Sequence, residues 1–189
     1  MKIRTAIEAD RDAIWNIFHA VVAAGDTYAF DPKMSRDEAL AYWFRAHTHT
    51  YVAEDDRESV DRESAGEADS FPGTATPPPA GEMKKRVIVG TYILRPNQAA
   101  GGSHVANAAF MVAPNAQGSG VGRKMAEHCL SEALRMGFRA MQFNFVVSTN
   151  TPAIHLWQQL GFKIVGTLPG AFRHPERGYV DVYVMYRSL

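Results

Sequence analysis

One stretch limits what this chain can fold into more than any other. It runs through Asn107-Ala108-Ala109-Phe110-Met111-Val112, then Ala113-Pro114-Asn115-Ala116, then Gln117-Gly118-Ser119-Gly120-Val121-Gly122-Arg123 at the head of a helically periodic segment. The pattern predicts a strand, a tight turn and a helix. Helix N-termini carry unpaired N–H groups and the positive end of the helix dipole, and glycine puts no Cβ between that backbone and a phosphate. The expected guest is an anion, above all a diphosphate. A glycine turn that serves only close packing of strand on helix is the alternative. The spacing lacks the Gly-Lys-Ser/Thr ending of a P-loop, and it reads Gly-x-Gly-x-Gly where a dinucleotide fold wants Gly-x-Gly-x-x-Gly.

Composition narrows the partners. The 189 residues balance 20 basic against 20 acidic side chains, with no basic stripe of the kind that tracks a nucleic-acid backbone, so no nucleic-acid partner is expected. Cys129 is the only cysteine, which excludes an intrachain disulfide and a multi-cysteine metal site, and no metal is expected. Charge interrupts Met1-Lys2-Ile3-Arg4 before any signal-like apolar run, and no later run is long enough to cross a bilayer. A cytoplasmic protein without a membrane partner is the expectation. Oligomeric state is open, a homodimer included.

The length fits one domain, residues 1–189. Lys2 to Ile7 alternates as a strand, after which Asp10 is placed to cap a helix carrying Ile14, Ile17, Phe18, Val21 and Val22 and ending at Gly25. Ser35-Arg36-Asp37-Glu38 is a capping box for a second helix, expected to reach about Ala46. A strand at Thr50 to Ala53 precedes residues 54–81, rich in charge, Ser, Gly and Pro, read as a flexible insertion within the domain. Strands at Val87 to Leu94 and His104 to Val112 follow, then a helix at Gly118 to Met136, a strand at Ala140 to Val147, a helix at Thr151 to Leu160, and strands at Phe162 to Leu168 and Tyr179 to Tyr186. Early hairpins and a late strand-helix-strand crossover imply an α/β (α+β) architecture with a mixed sheet and helices on its faces.

Val112-x-Pro114-x-x-Gln117-Gly118-x-Gly120-x-Gly122 resembles motif A of the GCN5-related N-acetyltransferases, whose signature Gln/Arg-x-x-Gly-x-Gly/Ala is met by Gln117, Gly120 and Gly122. Asn150-x-x-Ala153-x-x-Leu156-Trp157-x-x-x-Gly161-Phe162 resembles motif B. The likeness covers nearly all of the chain except the insertion. It implies that family's fold, a mixed, mostly antiparallel sheet splayed at the coenzyme site, and acetyl-CoA as co-substrate. Its pyrophosphate would lie on the turn Gln117, Gly118, Ser119, Gly120, Val121 and Gly122, with its pantetheine arm along Phe110, Met111 and Val112 like an added strand. Arg123 either adds charge there or is an exposed helix residue. Asn150 either contacts the coenzyme, as the family implies, or only caps its helix. Trp157 stands near where many relatives carry a tyrosine that protonates the departing thiolate, which indole cannot do. It is read as core packing or as a wall beside the thioester.

Asparagine is disfavoured inside strands, so Asn107 and Asn144 need partners. They either face the gap of the splay and orient the reactants, or they satisfy backbone groups that the splay leaves open. Together with Tyr42-Trp43-Phe44, Gly90 to Asn97, Ser103-His104, Phe143-Asn144 and Ser148-Thr149-Asn150, they resemble the fungal acetyltransferases that detoxify the proline analogue azetidine-2-carboxylate. That subgroup implies Asn107 and Asn144 as catalytic-site residues. His104 is the leading histidine to receive the amine's proton, or else a strand-end histidine bonded to backbone. Asp26, Tyr28 and Phe30, between the first two helices, are expected to shape the acceptor pocket. The function expected is acetyl transfer from acetyl-CoA to the amine of a small molecule, an amino acid or its analogue. Acetylation of a peptide or protein, or non-catalytic sensing of acyl-CoA, are the competing readings.

Overall fold

The computed structural model describes residues 1–55 and 86–189. Seven strands form one sheet in the order β1-β2-β3-β4-β5-β7-β6. The elements are β1 (Lys2–Thr5), α1 (Arg11–Ala23), α2 (Arg36–Trp43), β2 (His49–Asp55), β3 (Val87–Pro96), β4 (Val105–Val112), α3 (Val121–Arg135), β5 (Ala140–Val147), α4 (Thr151–Gln159), β6 (Lys163–His174) and β7 (Gly178–Ser188). Every neighbouring pair is antiparallel except β4 and β5. The expected mixed sheet is thus present.

The alternation of apolar residues along β2, β3 and β4 serves two cores. On one face, Ile14, Ile17, Phe18 and Val22 of α1 and Leu40 and Trp43 of α2 pack on Val52, Ile93 and Met111. On the other, Val121, Met125, Cys129, Leu130 and Ala133 of α3 pack on Tyr51, Tyr92, Leu94 and Met141. Cys129 is fully buried, and burial pushes its thiol up, so it behaves as a small apolar residue. The Ser35 capping box forms as expected, with the Ser35 Oγ accepting from the Glu38 N–H at 3.3 Å and the Ser35 N–H donating to the Glu38 carboxylate at 2.9 Å. Its helix stops at Trp43, earlier than Ala46.

Three expectations need correction. Asp10 does not cap α1 through its side chain. Its carboxylate accepts from the Ile7 N–H at 2.8 Å and from the Arg4 guanidinium at 2.6 Å, because Arg4 reaches it from β1. The strand expected to end at Ala53 runs to Asp55, since Arg4 also donates to Glu54 at 2.6 Å and gives that buried carboxylate a partner in the sheet. Residues 56–85, which include the rest of the expected insertion at 54–81, lie outside the described residues. The last two strands are longer than expected and meet in a hairpin from Lys163 to Ser188. Pro169-Gly170-Ala171 reads as a break in sequence. It is an irregularity in the edge strand β6, where proline costs no ladder bond and the Gly170 N–H is taken by Asp181 at 2.9 Å.

Candidate active site

β4 and β5 run parallel but pair only through Val105 with Ala140 and Ala106 with Met141. Beyond those residues the strands part. On β5 a bulge assists the departure, since Asn144 and Phe145 together oppose the single residue Val184 of β7. A bulge bends its strand and re-aims the side chains it carries. The gap opens into a cleft of about 1400 Å³ lined along β4 by Asn107 to Val112 and along β5 by Phe143 to Val147.

Asn107 sits at the apex of the splay, where its Nδ2 donates to the Gln142 carbonyl at 2.8 Å. Of its two expected roles, this bond fulfils the satisfaction of a backbone group that the parted strands leave open. Asn144 accepts from Gln142 Nε2 at 2.7 Å and donates to Asn97 Oδ1 at 2.6 Å. Both asparagines line the cleft, joined through Gln142.

At one end of the cleft is the glycine turn. Gly118 and Gly120 adopt φ of 75° and 82°, a left-handed conformation that favours glycine, and this lets the chain turn sharply into α3. Gly120 is the N-cap and supplies no side-chain acceptor, so the first N–H groups of α3 are offered to the cleft. Gln117, Gly118, Gly120, Gly122 and Arg123 line it. Ser119 instead donates to the Ala116 carbonyl at 2.6 Å, and the Val121 side chain is buried in the α3 core. Arg123 is held by Gln159 of α4 and lies 3.8 Å from Glu127. Asn150 caps α4 by accepting from the Ala153 N–H at 3.3 Å while also lining the cleft.

Trp157 packs in the core and also reaches the cleft. It is buried among Phe110, Phe143 and Phe162, with ring centroids 5.1, 4.7 and 6.0 Å away, and its remaining surface lines the cleft. Asp26, Tyr28 and Phe30 also line the cleft. The Tyr28 hydroxyl donates to the Phe110 carbonyl at 2.5 Å and accepts from the Phe110 N–H at 3.1 Å. Burial pushes the Tyr28 phenol well up, so it stays a neutral hydroxyl. Phe30 stacks on Tyr28 and meets Tyr42 edge-on, centroids 5.7 and 5.0 Å apart. Tyr42 and Arg95 complete this wall. Neither was singled out as a site residue in the sequence, where Tyr42 reads as helix α2 and Arg95 as the end of a strand.

His104 is not brought to the site. It is exposed just before β4, on the paired side of the splay, and does not line the cleft. Three residues of strand, about 10 Å, separate it from Asn107. The hairpin tip supplies a different histidine, His174, whose Nδ1 accepts from the Glu176 and Arg177 N–H groups at 3.1 and 3.3 Å. These three residues also line the cleft. Among the described residues no group of three His, Cys, Asp or Glu side chains gathers, and no helix is long and apolar enough to cross a membrane.

The sequence profile of the Acetyltransferase (GNAT) family matches residues 18–162, and the chain belongs to that family of N-acetyltransferases. N-acetyltransferase aca1 of Schizosaccharomyces pombe is 33% identical over 164 residues, which span 86% of this chain and 72% of that protein. A GCN5-related N-acetyltransferase from Kribbella flavida is similar in structure, with a TM-score of 0.81 and 39% identity over 100% of this chain and 97% of the other. The yncA protein of Salmonella typhimurium, a putative acetyltransferase solved with its cofactor acetyl-CoA, shares the fold at a TM-score of 0.76 and 24% identity, covering 100% of this chain and 94% of its own.

Proposed function

We propose that this enzyme moves an acetyl group from acetyl-CoA directly onto the amine of a small molecule, an amino acid or amino-acid analogue. The observation that carries the reading is the parting of β4 from β5 into one continuous cleft that both the glycine turn and the aromatic residues Tyr28, Phe30 and Tyr42 line. Its volume of about 1400 Å³ exceeds the roughly 300–1,000 Å³ of ordinary small-molecule pockets. A long coenzyme and a compact acceptor fill such a space together.

The glycine end suits the pyrophosphate, on the N–H groups of Gly118 to Gly122, with Arg123 and Asn150 at its border. The pantetheine arm then runs along Phe110 to Val112. Trp157 walls the thioester, and the aromatic end with Asp26, Tyr28 and Phe30 receives the acceptor. The amine nitrogen attacks the thioester carbon, the C–N bond forms and the C–S bond breaks. The nitrogen gives up a proton and the thiolate gains one. Backbone N–H groups near Val112 hold the oxyanion, and Asn107 and Asn144 keep the nucleophile in line. Neither amide is a base at neutral pH, so their part is positional.

The likeness to azetidine-2-carboxylate acetyltransferases supports a role in detoxifying amino-acid analogues, consistent with a cytoplasmic enzyme. A thiol-release assay with acetyl-CoA and a panel of amino acids and amines tests the proposal. Turnover with a small amine is expected, and Asn107→Ala lowers it while leaving coenzyme affinity within about twofold. Coenzyme binding without turnover on any small amine would sink it in favour of a peptide acceptor or a sensor.

A further inference from the structure

Among the described residues Arg95 is a cation without a paired carboxylate. Its guanidinium donates to the Tyr42 hydroxyl at 3.3 Å and lies 5.6 Å from the Tyr42 ring centroid, and its Nε is buried with no hydrogen-bond partner. No carboxylate pairs with it among the described residues. Arg45 adds a second guanidinium 5.0 Å from the same ring. Burying part of a cation with an unmade hydrogen bond is costly, and a fold that retains one at the wall of a cleft keeps it for a guest. The other cleft arginines differ: Arg123 is already held by Gln159 and Glu127 at the coenzyme end, and Arg177 is exposed at the hairpin tip.

Its position fixes what the guest must look like. Arg95 of β3 is the direct register partner of Asn107 of β4. Opposed residues share one face of the sheet with Cβ atoms about 5 Å apart. The planar fork of a guanidinium matches a carboxylate with two parallel N–H···O bonds. In an α-amino acid a single carbon separates carboxylate from amine. A carboxylate on Arg95 therefore leaves the amine beside Asn107, at the apex of the splay.

Resting on the small-amine reading above, we infer that Arg95 is the receptor for the acceptor's carboxylate and that the acceptor is an α-amino acid in its carboxylate form. Tyr42 holds the guanidinium in place from its other side. Phe30 and Tyr28 then face the rest of the acceptor.

The test compares each common L-amino acid with its own carboxamide in the thiol-release assay. For the best acceptor, the wild type should favour the acid over the amide by about 30-fold or more in kcat/KM. R95Q should collapse that ratio toward one, chiefly through a higher KM for the acid, with R95K in between and with acetyl-CoA affinity, read by calorimetry, unchanged. A wild type that acetylates acids and amides alike, or an R95Q enzyme that loses both in equal proportion, overturns the assignment while small-amine transfer stands. A wild type that binds acetyl-CoA but acetylates no small amine overturns both.

Discussion

Tyr28 reaches from the loop after α1 to hold both backbone groups of Phe110, 82 positions away in the chain. Those are groups that an added strand would use, so on the proposed path of the pantetheine arm the phenol would compete with it for them. Tyr28→Phe should therefore tighten acetyl-CoA binding several-fold by calorimetry. It should also lower stability by about 1 kcal/mol for the lost hydrogen bonds. Gly120→Ala should act in the opposite sense on the coenzyme. At a φ of 82° a Cβ costs about 1–2 kcal/mol, and relaxation of that strain would turn the first N–H groups of α3 away from the cleft. A melt and a coenzyme titration on the same variant check both effects. The difference in how easily these residues are read is one of range. Gly120, Ser35 and Asn150 act within three or four residues of themselves, so their roles are legible in spacing. Tyr28, Tyr42 and Arg95 act across the sheet, and aromatic or basic residues in a loop, a helix and a strand end carry no sign of which backbone or ring they will meet.

The helix α3 is held to the sheet by more than its apolar stripe. Tyr92 pairs with His128 Nδ1 at 2.6 Å, and the Tyr51 hydroxyl donates to Glu132 at 2.8 Å. The Arg135 guanidinium beside Glu132 holds its carboxyl down at about 2, against an ordinary 4.5. Burial, opposed by the charge of Glu132, pushes the His128 imidazole below its ordinary 6.5. Both folded values lie below the unfolded ones, so both groups contribute stability that is present at neutral pH and lost in acid. The loss from His128 begins as pH falls below 6.5, and that from Glu132 between 4.5 and about 2. Thermal melts from pH 7.5 to 3 should thus fall in two stages. His128→Gln should flatten the first and Glu132→Gln the second, and a single unchanged slope in both variants would contradict this account. Periodicity, with the glycine turn before α3 and the Asn150 to Phe162 motif around α4, revealed both helices. It could not give the length of β6, because the irregularity at Pro169-Gly170-Ala171 looks like an end to a strand when no partner strand is in view.

At the scale of the whole molecule, the fold class and the glycine turn are readable from two local motifs and the loop of Asp26, Tyr28 and Phe30 from the family resemblance, whereas the part that Tyr42, Arg95 and the hairpin tip play in the cleft is not. The cleft draws its lining from α2, β3, β4, β5, the loop after α1 and the tip of the β6–β7 hairpin, and only the folded sheet brings those together. The splay also has a consequence for the chain before any coenzyme arrives. Parting two strands in the middle of a sheet creates a pair of raw edges, each able to recruit a strand from another molecule. The Tyr28 hydroxyl covers Phe110 on one edge and the Asn107 amide covers Gln142 on the other. Removing both covers in a Tyr28→Phe, Asn107→Ala double variant should make the protein self-associate by light scattering, and saturating acetyl-CoA should suppress it. Enzyme and coenzyme would then share a duty unrelated to acetyl transfer, that of keeping an opened sheet from becoming a template for its own aggregation.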